Sequence, residues 1–162
     1  MSTDDERPGG APATVIDRLV RATNAHDLDA LVRCFGPGYR NSTPAHPNRS
    51  FAGSAQVRDN WQQIFAGVPD IHVEVEAETV DGPWVWTEWR MTGTRRDGTP
   101  HEMAGTIIFE VDGDSIASAR FYVEPVERAS GTVGDAVRRQ VGEAPTGADP
   151  QVVAQAAEVV SP

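Results

Sequence analysis

At Ile71 the apolar residues stop recurring at helical spacing and begin to alternate with polar ones, and this two-residue period holds, between turns, as far as Pro125. A chain with that switch must place helices first and an extended sheet second. Ile71, Val73, Val75 and Ala77 alternate with His72, Glu74, Glu76 and Glu78, the pattern of a strand with one face in water. Asp81-Gly82-Pro83 turns the chain. Trp84 to Thr94 then places Val85, Thr87, Trp89 and Met91 on one face, with Trp86, Glu88, Arg90 and Thr92 on the other. After Arg96-Asp97-Gly98, the run from Glu102 to Val111 separates Met103, Gly105, Ile107 and Phe109 from Ala104, Thr106, Ile108 and Glu110. Asp112-Gly113-Asp114 is a hairpin turn into Ile116 to Glu124. The result is an antiparallel meander. In its last strand the register that buries Phe121 is preferred, because a slip of one residue would bury Arg120 and Tyr122 and expose Phe121 and Val123.

The preceding half reads as helical. Residues 1–12, with Pro8, Gly9, Gly10 and Pro12 among charges, have the composition of a disordered lead-in. Thr14 is placed as the N-cap of a helix reaching about Asn24, with Val15, Ile16, Leu19 and Val20 on its apolar face. Leu28, Leu31, Val32 and Phe35 keep helical spacing until Gly36-Pro37-Gly38 stops it. Tyr39 to Gly53 is expected to be irregular, with a brief strand at Tyr39 to Asn41. Ser54 is placed as the cap of a third helix carrying Val57, Trp61, Ile64 and Phe65 inward, ended by Gly67 and Pro69. A folded domain is expected over 13–127. The stretch 128–162 is expected to be a mostly flexible tail with a short helix at 133–141. The fold class is therefore α+β, with N-terminal helices packed on a curved antiparallel sheet to form a cone.

The chain has 162 residues and a formal charge of −10, set by 24 acidic residues against 14 basic ones, all of them Arg. Such a field disfavours nucleic acid and anionic membranes as partners. An acidic, polar start and the lack of any apolar run of spanning length predict a soluble cytoplasmic protein. Cys34, the single cysteine, lies in an apolar stretch and is expected to be a buried structural thiol. His26, His72 and His101 are scattered without metal-ligand spacing, and no phosphate-binding loop is found, so no metal or other cofactor is expected.

Phe51-Ala-Gly53, Val57 to Trp61 with Phe65, Val68-Pro69-Asp70, Gly82-Pro83-Trp84-Val85, Thr92-Gly93-Thr94 with Asp97-Gly98, and Ile108-Phe109-Glu110-Val111-Asp112-Gly113 follow one another in an informative order. Together, over about Val15 to Glu127, they resemble the SnoaL-like branch of the NTF2-like superfamily. The resemblance implies a cystatin-like cone with a deep pocket between the concave sheet face and the helices. It also implies kinship with polyketide cyclases, epoxide hydrolases, ketosteroid isomerases and small-molecule binding proteins, so the fold does not name the chemistry. The positions that the resemblance assigns to the cyclases' catalytic Asp and supporting His are Phe121 and Ile107. Those assigned to the epoxide-hydrolase Arg and two Asp are Trp89, Met91 and Phe121. None of these side chains moves a proton.

The expected function is thus the binding of a small hydrophobic molecule. Trp61, Phe65, Trp89, Met91, Met103, Ile107 and Phe121 would line the chamber, or else interdigitate as plain core. Gly105 would leave room for a ligand or a bend. Tyr39, Asn41, Thr43 and His46 are the polar candidates at the mouth, Tyr39 and Asn41 as ligand contacts. Asn41 and His46 are the candidate catalytic residues if the protein is a cyclase, isomerase or hydrolase. Glu124 is read as a strand-end carboxylate or an ion-pair partner of Arg90 or Arg120. On the outer sheet face, Trp86, Ile108 and Tyr122 ringed by charges suit a homodimer contact or a protein-interaction surface.

Overall fold

A computed structural model describes residues 11–142. Residues 1–10 of the expected lead-in, and the linker and tail beyond Gly142, lie outside the described residues, whereas Ala11 and Pro12, expected to belong to the lead-in, open the first helix. The described residues fall into two compact units, divided between Val126 and Glu127. In the first, α1 (Ala11–Asn24), α2 (Leu28–Arg33) and α3 (Ser54–Gly67) accompany six strands. These are β1 (Phe35–Ser42), β2 (Phe51–Ala52), β3 (His72–Asp81), β4 (Trp84–Thr94), β5 (Pro100–Asp112) and β6 (Ser115–Pro125). The second unit contains α4 (Val133–Gln140), opened by a capping box in which Thr132 Oγ1 accepts from Asp135 N and the Asp135 carboxylate accepts from Thr132 N.

The strands form one curved sheet in the order β2-β1-β6-β5-β4-β3. The meander β3 to β6 is antiparallel throughout, with Phe121 opposite Ile107 in the expected register. The sheet as a whole is mixed, because β1 runs parallel to β6. That strand was not expected at this length. Phe35 begins β1 instead of closing α2, and the register shifts between Phe35 and Arg40, so that Gly36-Pro37-Gly38 bulges out of the ladder, where Pro37 need not donate.

Three further expectations are corrected. The first helix already includes Ala11, so Thr14 lies inside it; Gly53, at φ 91°, occupies the cap position of α3 in place of Ser54, a conformation that glycine adopts without strain. A bulge between Val75 and Ala77 reverses the faces of β3, leaving Ala77 exposed and turning Val80 toward Val85. Gly105 does not line a hollow. A Cβ there would meet the Tyr122 carbonyl oxygen at 2.2 Å, so it marks a close approach of β5 to β6 at φ 148°.

Burial drives the assembly. α1 presents Val15, Ile16, Leu19 and Ala22 to the sheet, where Ile71, Val73, Val85, Trp89, Phe109 and Ile116 complete the core. The α1 C-terminus is pinned by Asn24, whose amide donates to Val73 O at 2.9 Å and accepts from Val73 N at 2.8 Å, reproducing a strand pairing at the edge of β3. Cys34 is buried; burial pushes its thiol pKa up, against the opposing effect of Arg18.

Candidate functional site

Side chains from six elements, one helix and five strands, converge with those of a short turn on a cavity of about 280 Å³. Alternation along β1 and its extension places Tyr39, Asn41 and Thr43 on one face. Helical spacing on α3 brings Val57, Asn60, Trp61 and Ile64 to the opposite wall. Met91 of β4 and Met103 of β5 are a cross-strand pair on the floor, beside Phe121 and Val123 of β6. Phe35, Phe51 and Arg49 complete the lining, Arg49 from a short 3-10 turn at Pro47–Arg49. The volume lies just below the usual range for ligand sites, about 300–1,000 Å³.

Its polar groups are organised as a ladder. Thr43 Oγ1 donates to Asn41 Oδ1 at 3.3 Å, and Asn41 Nδ2 donates to the Tyr39 hydroxyl oxygen at 3.2 Å. With the Asn41 amide assigned this way round, the Tyr39 hydroxyl accepts from Asn41 and its own proton is not committed to that bond. Tyr39 is only 1 % exposed, and burial pushes its pKa up to about 12 against the opposing Asn41 hydrogen bond. It is a neutral donor throughout the physiological range. No carboxylate or imidazole is found among the described lining residues.

The structure thus gathers Tyr39, Asn41, Trp61, Met91, Met103 and Phe121 around the cavity as expected. Trp89 and Ile107 face inward but line only a deeper void of about 20 Å³, shared with Leu19, Thr23 and Phe109. That is room for about one water molecule, so at depth the cone is too narrow for an organic ligand. Trp89 is fixed there: its indole Nε1 donates to Thr87 Oγ1, which in turn donates to Ile107 O at 2.7 Å. Phe65 does not reach the cavity either, being stacked on His26 at 5.0 Å between ring centroids, with Trp61 at 5.5 Å.

His46 meets a carboxylate, but outside the chamber. Its Nε2 lies 2.8 Å from Glu124 Oε1, with the side chains 37 % and 45 % exposed. Glu124 follows Val123, which lines the cavity, so strand alternation sends Glu124 to the other face of β6. The expected partners of Glu124 are engaged elsewhere. Arg90 bridges Glu76 and Glu102, and Arg120 sits over the Trp84 ring at 5.3 Å. On that outer face Trp86 and Tyr122 are 46 % and 41 % exposed, whereas Ile108, expected beside them as a contact residue, is 4 % exposed and cannot supply much interface area.

Sequence reasoning missed Arg49, Asn60, Phe51, Phe35 and Val123 as lining residues. Asn60 was accessible from spacing, one turn before Ile64 and three residues after Val57; Arg49 offered no signal, because its placement depends on how an irregular segment folds back. Among the described residues there is no group of three or more His, Cys, Asp or Glu side chains able to hold a metal, and no helix long and apolar enough to cross a membrane.

The model of the SnoaL-like domain family matches residues 16–119. A candidate SnoaL-like polyketide cyclase from Jannaschia sp. CCS1 superimposes with a TM-score of 0.62 at 22% identity, covering 75% of this chain and 92% of that one. IdmH, a candidate polyketide cyclase from Streptomyces antibioticus, gives a TM-score of 0.62 at 22% identity, covering 70% and 91%. A protein with a ketosteroid isomerase-like fold from Catenulispora acidiphila, solved with trimethylamine, gives 0.59 at 17% identity, covering 80% and 93%. At these identities the likeness is one of fold. No curated protein matches the chain by sequence.

Proposed function

We propose, from the premise that this chain belongs to the SnoaL-like domain family, that it binds a small, largely hydrophobic molecule in the cavity between α3, β1 and the concave sheet face. One observation carries the reading: an apolar chamber is served by a polar ladder that ends in the Tyr39 hydroxyl, with no acid or base among its described lining residues. Trp61, Phe121, Met91 and Met103 supply broad, polarizable contact to a flat body. Tyr39 and Asn41 fix its orientation through a carbonyl or hydroxyl oxygen. No metal or nucleotide enters the proposal. Native mass spectrometry of gently purified protein tests it: a small molecule retained by the wild type is expected to be lost from Met103→Trp, which fills the floor. Failure of the wild type to retain any such molecule, or to take up an added aromatic alcohol, would overturn it.

The polyketide cyclase, isomerase or hydrolase alternative draws on the His46–Glu124 pair, which has the components of a general base but faces away from the cavity. It gains if His46→Ala or Asn41→Ala abolishes a turnover that folded protein otherwise supports. The exposed Trp86 and Tyr122 favour a second role for the outer sheet, in a homodimer or in contact with another protein. Sedimentation of wild type and Trp86→Arg distinguishes them: a dimer converted to monomer supports self-association, and a monomer in both removes it.

A further inference from the structure

Arg49 is the single charged side chain among the described lining residues of the cavity, and it pairs with no described residue. Arg58 finds Asp29 at 2.7 Å, and Arg90 finds both Glu76 and Glu102; Arg21 and Arg40 share the lack of a carboxylate partner among the described residues, but of these three unpaired arginines Arg49 alone borders the cavity. Its backbone is held: Arg49 N donates to His46 O at 2.9 Å, Ser50 N to Pro47 O at 3.1 Å, and Ser50 Oγ accepts from Thr43 N at 3.1 Å, tying the turn to the end of the polar ladder. Arg49 is an exposed residue, and no described residue engages its guanidinium. A guanidinium presents a planar fork matched to a carboxylate, and it is weakly hydrated enough to be desolvated by a ligand.

Building on the cavity-binding reading above, we infer that the ligand is an amphiphilic acid, a compact hydrophobic body bearing one carboxylate that Arg49 meets at the cavity mouth. The body sits on Met91, Met103 and Phe121, and the Tyr39 hydroxyl and the Asn60 amide are available to a second oxygen on the same ligand. One cation matches one negative charge, so a monocarboxylate fits better than a phosphate dianion. The net charge of −10 does not oppose this, because charges beyond about 8 Å are screened at physiological ionic strength.

The test compares naphthoate with the corresponding neutral naphthylmethanol by calorimetry, on wild type, Arg49→Gln and Met103→Trp. The wild type is expected to prefer naphthoate about tenfold, the size of one partly exposed charge-assisted contact. Arg49→Gln should lower naphthoate to the level of the alcohol, abolishing the preference. Equal affinities in the wild type would overturn the inference while leaving the cavity reading intact, as would a naphthoate preference that survives in Arg49→Gln. Should neither compound bind the wild type, or both bind Met103→Trp as well as they bind the wild type, the cavity reading fails and the inference falls with it.

Discussion

Replacing Tyr39 by Phe should change the response of this protein to alkali more than its stability at neutral pH. The hydroxyl accepts one hydrogen bond, from Asn41 Nδ2 at 3.2 Å, so its loss near neutrality should cost about 1 kcal/mol. The larger effect comes from ionisation. Burial raises the phenol from 10.0 to about 12 in the folded chain, so between those pH values the folded state holds a proton that the unfolded state has released. Stability conferred by the buried neutral phenol is therefore complete below about pH 10 and is lost as pH rises through about 12. The full loss is about 2–3 kcal/mol, and about half of it should have appeared by pH 11. The background is unusually clean, because every basic residue is Arg and no lysine titrates in this window. Cys34 also has a raised pKa and contributes its own alkaline loss, but it is common to both proteins and cancels in their difference. Urea unfolding of wild type and Tyr39→Phe at a series of pH values measures that difference. In a Tyr122→Phe background, where Tyr39 is the remaining tyrosine, tyrosinate absorbance reads the ionisation directly. A stability difference that stays constant from pH 9 to about pH 11, or a tyrosinate signal that appears at the pH of free tyrosine, would refute the claim that Tyr39 is a desolvated donor.

Gly105→Ala should cost on the order of 3 kcal/mol or more, because the new Cβ would sit 2.2 Å from the Tyr122 carbonyl oxygen at a φ that L-residues avoid; a thermal melt indistinguishable from wild type would contradict it. Asn24→Ala should cost about 2 kcal/mol, since both Val73 backbone groups lose their partner, and hydrogen exchange at Val73 should accelerate well before global unfolding does. On the acid side, the Thr94 backbone N–H holds the Asp70 carboxyl below its ordinary value, with part of that effect opposed by desolvation. That contribution is present above about pH 4 and disappears as pH falls through the depressed folded value, so Asp70→Asn should show a shallower loss of melting temperature in acid than wild type; identical acid limbs would exclude the role.

The meander was legible because each of its strands repeats a period of two and is bounded by Gly, Pro or Asp turns, so β4, β5 and β6 follow from local chemistry. What escaped was governed by long-range pairing. Phe35 fits a helical stripe with Leu31 and Val32, and the following Gly36-Pro37-Gly38 reads as a stop, yet parallel pairing to β6 recruits the segment as β1 and absorbs the proline in an irregular register. The bulge at Glu76 is equally silent, since the alternation of acidic and apolar residues continues straight through it. At the site, Tyr39, Asn41 and Thr43 were expected at the mouth, but the strand that sets them on one face was expected only from Tyr39 to Asn41. Arg49 could not be placed, because a 3-10 turn in a proline-rich loop has no periodicity to read.

Direction and occupancy are different properties, and the distinction decides what this cavity can do. Alternation correctly turned Trp89, Ile107 and Phe121 inward, but whether an inward side chain lines a hollow or fills it depends on the summed volume of its neighbours. Trp89 and Phe109, 6.0 Å apart, and Phe109 and Phe121, 6.5 Å apart, narrow the depth of the cone to a void of about 20 Å³, and Thr87 satisfies the indole so that Trp89 has no polar atom left for a ligand. The space that remains lies toward β1, under the control of Tyr39. A phenol with a pKa of about 12 is ionised in roughly one molecule in 100,000 at pH 7, so it is a negligible base there. Donation to a ligand oxygen is the role left to it, and a reaction in this chamber that needs a proton removed must draw its base from the ligand, from water, or from a group brought in from outside the described lining.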